Sequence, residues 1–158
     1  MPEWKIHDKW AERMGIPSEI SSFINNLIDF PKKCQEYINF CEMESDARIY
    51  SKGRPTSMTA ADFTRHDSSR TDKNIRAIQL KFLRQKGQEF VRAWYLHNIL
   101  DYIKWWLTEA TPEVVVSIED MLQDKRLQKK IGDIQDPELQ SVRSFVFTYK
   151  DEILQDCK

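Results

Sequence analysis

"FVRAWYLHNILDYIKWWL", residues 90–107, decides the fold because it carries too many apolar side chains for one face of a helix. The stretch belongs to a longer helical pattern over 72–109 that contains no proline. A helix that is hydrophobic around its whole circumference is buried on all sides. We therefore predict that its second half is the central helix of the fold, surrounded by other helices.

The rest of the chain is also typical of helices. Apolar residues recur at spacings of three and four, and proline or glycine marks the breaks. We predict helices over about 3–14, 17–29 and 31–50, and two more that begin at Thr111 and Asp136, each followed by a proline at the first helical position. The prediction is an all-α domain, a bundle of five or six helices with one long central helix.

The domain organisation follows from length and from one polar interval. A chain of 158 residues is long enough for one domain with its own hydrophobic core. The interval "SKGRPTSMTAADFTRHDSSRTD" is rich in turn-forming residues. We predict a single helical domain over 1–158 with a polar loop or arm at about 51–71.

Charge and apolar content exclude several classes of partner. Lys and Arg number 24 against 25 Asp and Glu, a formal net charge of -1, so there is no strong nucleic-acid or lipid signal. No apolar run is long enough to cross a bilayer, and we expect a cytoplasmic protein. Cys34 and Cys41 are seven residues apart, and we expect both to be reduced and buried on one helical face.

Each of the three histidines has an aspartate within reach along the chain. His7 precedes Asp8, a second histidine and aspartate are adjacent at 66 and 67, and His97 lies one helical turn before Asp101. Imidazole nitrogen and carboxylate oxygen together suit first-row divalent metals. Side chains four residues apart on a helix lie on the same face. These residues are therefore candidate metal ligands.

The order of these residues resembles a known enzyme family. His7, the doublet His66 and Asp67, and then Asp101 resemble the H…HD…D pattern of the HD-domain metal-dependent phosphohydrolases, which are all-helical. Arg70 follows the doublet, as a basic side chain often does in that family. The resemblance implies a divalent metal cofactor held by the two histidines and two aspartates, with Arg70 at the phosphate. It implies hydrolysis of a nucleotide or another phosphorylated small molecule.

A second motif resembles a different family. "RAWYLH", from Arg92 to His97, is similar to the R-x4-6-H motif of HEPN domains, small helical proteins that are often dimeric, metal-independent ribonucleases. That resemblance implies that Arg92 meets the RNA phosphate and that His97 handles protons. It is the alternative catalytic hypothesis.

A third, non-catalytic hypothesis explains the same residues structurally. His7 would pack on a neighbouring helix, "HDSSRTD" would cap the helix after it, and His97 with Asp101 would be a hydrogen-bonded pair in the core. The chain would then be a helical protein-interaction domain. We also expect a homodimer, with part of the 94–106 helix at the contact, because its aromatic surface exceeds what one shell of helices can bury.

Overall fold

A computed structural model describes residues 3–52, 64, 73–108, 118–131 and 135–158. These residues form α-helices and one 3-10 turn, and no strand occurs among them. The helices are α1 (Trp4–Arg13), α2 (Ser18–Asp29), α3 (Gln35–Lys52), α4 (Lys73–Lys86), α5 (Gln88–Thr108), α6 (Ile118–Gln123), α7 (Lys125–Ile131), α8 (Pro137–Thr148) and α9 (Lys150–Cys157). The all-α prediction is confirmed.

Helix α5 is the centre of the bundle, as its sequence predicts. It packs against α1, α2, α4, α7, α8 and α9. Every residue from Ala93 to Ile103 is buried, so no face of this segment is left to solvent. Because α5 is covered from all sides, any polar side chain on it must find its partners inside the protein.

The pattern over 72–109 is two helices and not one. Helix α4 ends at Lys86 and α5 begins at Gln88, with Gly87 between them at a φ of +144°. Residues with a side chain rarely adopt that conformation, so a glycine is required where the chain breaks. A similar break at Tyr149 separates α8 from α9. A third break, at Asp124, separates α6 from α7, and these three interruptions are why the described residues contain more helices than the five or six expected.

The predicted helix start at Asp136 is confirmed, and its side chain also joins three helices. Asp136 Oδ1 accepts a hydrogen bond of 3.0 Å from the backbone N–H of Glu138, and Pro137 occupies the first turn of α8. Its other carboxylate oxygen accepts 2.7 Å hydrogen bonds from Arg84 in α4 and from Tyr95 in α5. The corresponding start predicted at Thr111 lies outside the described residues.

Helix α1 is held in place by the last helix of the chain. Trp10, which is fully buried, donates its ring N–H to Asp156 at 2.9 Å, and Arg13 pairs with Glu152. The guanidinium of Arg13 also lies 4.7 Å from the Trp10 ring centre. These contacts fix α1 against the bundle and thereby fix the position of His7.

The aromatic side chains of α5 are wholly or partly covered by other residues of the chain. Trp94 is fully buried, and Trp105 and Trp106 are partly buried. The guanidinium of Arg126 lies 5.4 Å from the ring centre of Trp105 and 4.6 Å from that of Trp106. The homodimer therefore stays a prediction, and no feature of the described residues supports it.

Two further predictions concern the chain as a whole. The loop or arm expected at about 51–71 lies outside the described residues, apart from the end of α3 and Thr64. Among the described helices, none combines the length and the apolar composition needed to span a membrane. The cytoplasmic location stays a prediction.

The cysteines are arranged differently from the sequence expectation. Cys34 precedes α3 and is only partly buried, because the 3-10 turn Pro31–Lys33 comes before it and the helix begins at Gln35. It therefore does not share a helical face with Cys41. Cys41 and Cys157 are fully buried, and burial raises the pKa of each thiol to about 11.

These environments predict an order of thiol reactivity. We expect an alkylating reagent near pH 8 to label Cys34 first, because its thiol is only partly buried, whereas those of Cys41 and Cys157 are fully buried. Cys41 and Cys157 should react only as the protein unfolds. Mass spectrometry of the labelled peptides measures the order, and rapid labelling of Cys41 in native buffer would contradict the packing of α3.

Candidate metal centre

A buried cluster of two histidines and one aspartate lies where α1 meets α5. His7 Nε2 is 3.0 Å from Asp101 Oδ1, although the two residues are 94 positions apart in the chain. His97 Nε2 is 3.3 Å from Asp101 Oδ2. One ligand atom from each residue lies within 4.8 Å of the others, so the group could hold a metal ion.

Helix geometry explains how the three side chains meet. His97 and Asp101 are one turn apart on α5 and share a face. On α1, His7 lies on the same buried face as Trp10 and Ala11, which packs on the bundle. The two imidazole rings stack, with centroids 3.9 Å apart and planes 16° from parallel.

Helix α2 adds a polar stripe that the sequence analysis missed. Ser21, Asn25 and Asp29 recur every four residues along α2; the first two are buried with Ile24, Leu27 and Ile28, and Asp29 is partly buried. Asn25 Oδ1 is 2.9 Å from His97 Nδ1, and Asp29 Oδ1 is 4.0 Å from His97 Nε2. The four-residue spacing of the polar residues was the available signal.

Two more side chains hold this stripe from α1. Asp8 Oδ1 accepts hydrogen bonds from Ser21 Oγ at 2.6 Å and from Asn25 Nδ2 at 3.0 Å. Trp4 donates its ring N–H to Asp29 Oδ2 at 2.6 Å, which leaves Asp29 Oδ1 as the oxygen nearer to His97. Asp8 therefore contacts α2 and is not one of the clustered ligand atoms.

Two imidazole nitrogens in the cluster lack a hydrogen bond. Among the described residues, His7 Nδ1 and His97 Nε2 are fully buried and have no hydrogen-bond partner. His97 Nε2 is close to Asp101 Oδ2, but the angle is poor for a hydrogen bond. Buried polar atoms of this kind call for a missing partner, such as a water or an ion.

The electrostatics of the cluster differ from those of exposed residues. Burial alone would raise the pKa of Asp101, but the hydrogen bond from His7 and the nearby His97 ring outweigh it and hold that pKa well below its usual range. Burial, followed by the proximity of His97, lowers the pKa of His7, although Asp101 opposes the shift. Asp101 is thus a carboxylate, and His7 favours the neutral form that metals bind.

The lowered pKa of His7 predicts how stability depends on pH. As pH falls through the ordinary histidine value of 6.5, the unfolded chain takes up a proton at position 7 before the folded chain does. We expect the unfolding temperature, measured in a chelator, to fall more between pH ~7.5 and ~5.5 in the wild type than in His7→Gln. Equal slopes for the two proteins would contradict the burial of a neutral His7.

The other residues named from the sequence do not all meet at this cluster. His66, Asp67 and Arg70 lie outside the described residues. Arg92 donates to Glu138 in α8 at 2.6 Å, whereas His97 contacts Asn25 in α2. The structure therefore brings His7, His97 and Asp101 together and does not bring Arg92 to the same place.

Comparison with protein-family models, with curated proteins and with solved structures gives no significant match. The chemistry of the cluster is therefore the basis for a functional proposal.

Proposed function

We propose that the chain binds a divalent metal ion through His7, His97 and Asp101 and uses it to hydrolyse a phosphoester. The observation that carries the proposal is the 3.0 Å contact between His7 and Asp101 in the core, beside a second buried imidazole. His7 and Asp101 are the first and last positions of the H…HD…D pattern. The contact between these two residues supports the resemblance, because the pattern requires both of them to bind the same ion.

The donor atoms fit a divalent ion. Two imidazole nitrogens and a carboxylate are a common ligand set for zinc, manganese, iron, cobalt and nickel. His97 Nε2 is buried without a hydrogen bond among the described residues, and a cation beside it would supply its partner. Asp29 Oδ1, at 4.0 Å from that nitrogen, is a candidate fourth ligand. The doublet His66 and Asp67 remains a candidate source of ligands.

The reaction class rests on the sequence pattern together with this donor set. A divalent ion lowers the pKa of a coordinated water and neutralises charge on a phosphoryl group. In the proposal, Asp101 supplies negative charge to hold the ion, the two imidazoles orient it, and Arg70 meets the phosphate. The substrate is a nucleotide or another phosphorylated small molecule.

No observation favours the ribonuclease hypothesis. Arg92 is held by Glu138 in α8, whereas His97 contacts Asn25 in α2, so the two side chains do not converge. One version of the non-catalytic hypothesis is consistent with the cluster. In that version the chain binds a buried ion that has only a structural role. The experiments below separate that form from the proposed enzyme.

The first experiment measures metal binding against a matched control. Thermal unfolding of chelator-treated protein with added Zn²⁺, Mn²⁺ or Co²⁺ should show stabilisation of about 2.7 kcal/mol when the ion is at ~100 times its dissociation constant. Asp101→Asn should lose most of this stabilisation, because it removes the charged ligand. Asp136→Asn is the control, since Asp136 is equally buried but pairs with Arg84 and caps α8. The Asp136→Asn variant should have a lower free energy of unfolding than the wild type but should be stabilised by added metal to the same extent.

The second experiment tests hydrolysis. With the ion that stabilises the protein, we expect release of phosphate or alcohol from p-nitrophenyl phosphate, bis(p-nitrophenyl) phosphate or a panel of nucleotides, and none in excess chelator. A metal response equal in wild type and Asp101→Asn would overturn the metal site. A genuine metal site without hydrolysis of any of these esters would leave a structural ion and overturn the enzymatic proposal.

A third experiment tests the two residues that separate the catalytic hypotheses. Asp67→Ala should lower metal affinity and hydrolysis by at least about tenfold if the doublet contributes a ligand. Arg92→Ala should leave both nearly unchanged, because Arg92 pairs with Glu138 away from the cluster. The reverse pattern, with ribonuclease activity that survives a chelator and depends on Arg92, would support the HEPN hypothesis instead.

A further inference from the structure

A chain of hydrogen bonds runs from α1 through α2 to the cluster. Asp8 Oδ1 accepts from Asn25 Nδ2 at 3.0 Å, and Asn25 Oδ1 lies 2.9 Å from His97 Nδ1. Asn25 and His97 are each 2% exposed, so these bonds have little competition from water. The carboxylate of Asp8, the amide of Asn25 and the imidazole of His97 therefore form one continuous series of hydrogen bonds.

The carboxylate of Asp8 determines which group donates and which accepts in each hydrogen bond of this series. An ionised carboxylate can only accept hydrogen bonds, so Asn25 must turn its NH₂ group toward Asp8. The amide oxygen of Asn25 then faces His97, and an amide oxygen can only accept. It follows that His97 Nδ1 carries a hydrogen and donates it to Asn25.

This assignment determines what His97 presents to the cluster. A neutral imidazole with its hydrogen on Nδ1 has its lone pair on Nε2. In this protein Nε2 lies 3.3 Å from Asp101 Oδ2 and 4.0 Å from Asp29 Oδ1. A lone pair beside two carboxylate oxygens is unfavourable until a cation enters between them. The tautomer thus makes the cluster a cation site before any cation is bound.

We propose that Asp8 and Asn25 are positioning residues that hold His97 as the Nδ1–H tautomer and direct Nε2 toward the ion. That the cation is a metal rests on the proposed function, but the tautomer belongs to the metal-free protein and is measured separately. Hydrogen bonds to the outer nitrogen of a ligating histidine orient the ring, and their loss costs about 10- to 100-fold in metal affinity or activity.

The space around Asn25 shows that it acts through His97. A void of about 10 Å³ is lined by His7, Ser21, Asn25 and His97, together with apolar neighbours. That is roughly the room one water needs, and far too small for a nucleotide. Asn25 therefore does not bind a substrate from this side, and its effect on the ion has to pass through the imidazole.

The experiment reads the tautomer directly. Long-range ¹H–¹⁵N correlation spectra of metal-free, histidine-labelled protein, recorded in alkaline solution where the imidazoles are neutral, should show the His97 hydrogen on Nδ1. Asn25→Leu keeps the side-chain shape and removes the acceptor. We expect its His97 hydrogen to move to Nε2, where it faces the negative charge of Asp101 3.3 Å away, and its affinity for Zn²⁺ or Co²⁺ to fall 10- to 100-fold.

Two further variants separate positioning from simple disruption. The double variant Asp8→Asn with Asn25→Asp reverses the donor and acceptor between the two helices but still places a carboxylate oxygen on His97 Nδ1. It should restore the Nδ1–H tautomer and most of the metal affinity. Ser21→Ala removes the other hydrogen bond to Asp8 Oδ1 and should leave the tautomer unchanged.

The outcomes distinguish this proposal from the metal site itself. Wild-type His97 with its hydrogen on Nε2 overturns the positioning role, as does an Nδ1–H tautomer that persists in Asn25→Leu. A double variant that folds but keeps the Nε2–H form overturns it too. If the tautomer behaves as expected but no metal binds the wild type, the positioning role stands and the metal proposal fails.

Discussion

The contact between Asp101 and His7 is the constraint on which the arrangement of α1, α2 and α5 depends. A carboxylate buried in a protein core loses several kcal/mol of hydration, which only well-placed partners can offset. Asp101 sits on the helix that is covered from all sides, so its partners have to come from neighbouring helices and from its own preceding turn. His7 meets that need from α1 at 3.0 Å, beside the His97 ring on the preceding turn. The position of α1 is therefore tied to the chemistry of the core as well as to its packing.

Stability alone does not explain this cluster. Apolar side chains of similar volume in place of a buried ionic group often leave a protein equally or more stable. Here α1, α2 and α5 each have polar residues at buried positions, where these residues contact one another. Even so, His97 Nε2 has no hydrogen bond among the described residues. Such arrangements, with shifted pKa values and incomplete hydrogen bonding, are typical of functional sites.

The features that depend on neighbours along the chain could be predicted from the sequence. The buried character of α5, the pairing of His97 with Asp101 and the cap at Asp136 all follow from local spacing. The approach of His7 to Asp101 spans 94 positions, and only the family resemblance joined them beforehand. The role of Asn25 was missed because the four-residue spacing of Ser21, Asn25 and Asp29 shows that they share a helix face, but not that this face is buried against α1 and α5.

The cluster is held together before a cation is present. Trp4 fixes Asp29, Asp8 fixes Asn25, and the contacts of Trp10 and Arg13 with α9 hold α1 in place. With His97 in the proposed Nδ1–H form, the carboxylates of Asp29 and Asp101 lie near a nitrogen lone pair, an arrangement that costs folding free energy. A cation that binds there removes that cost, so its binding energy appears partly as stability of the whole bundle. Rigid helices joined by buried hydrogen bonds thus couple the site to the fold.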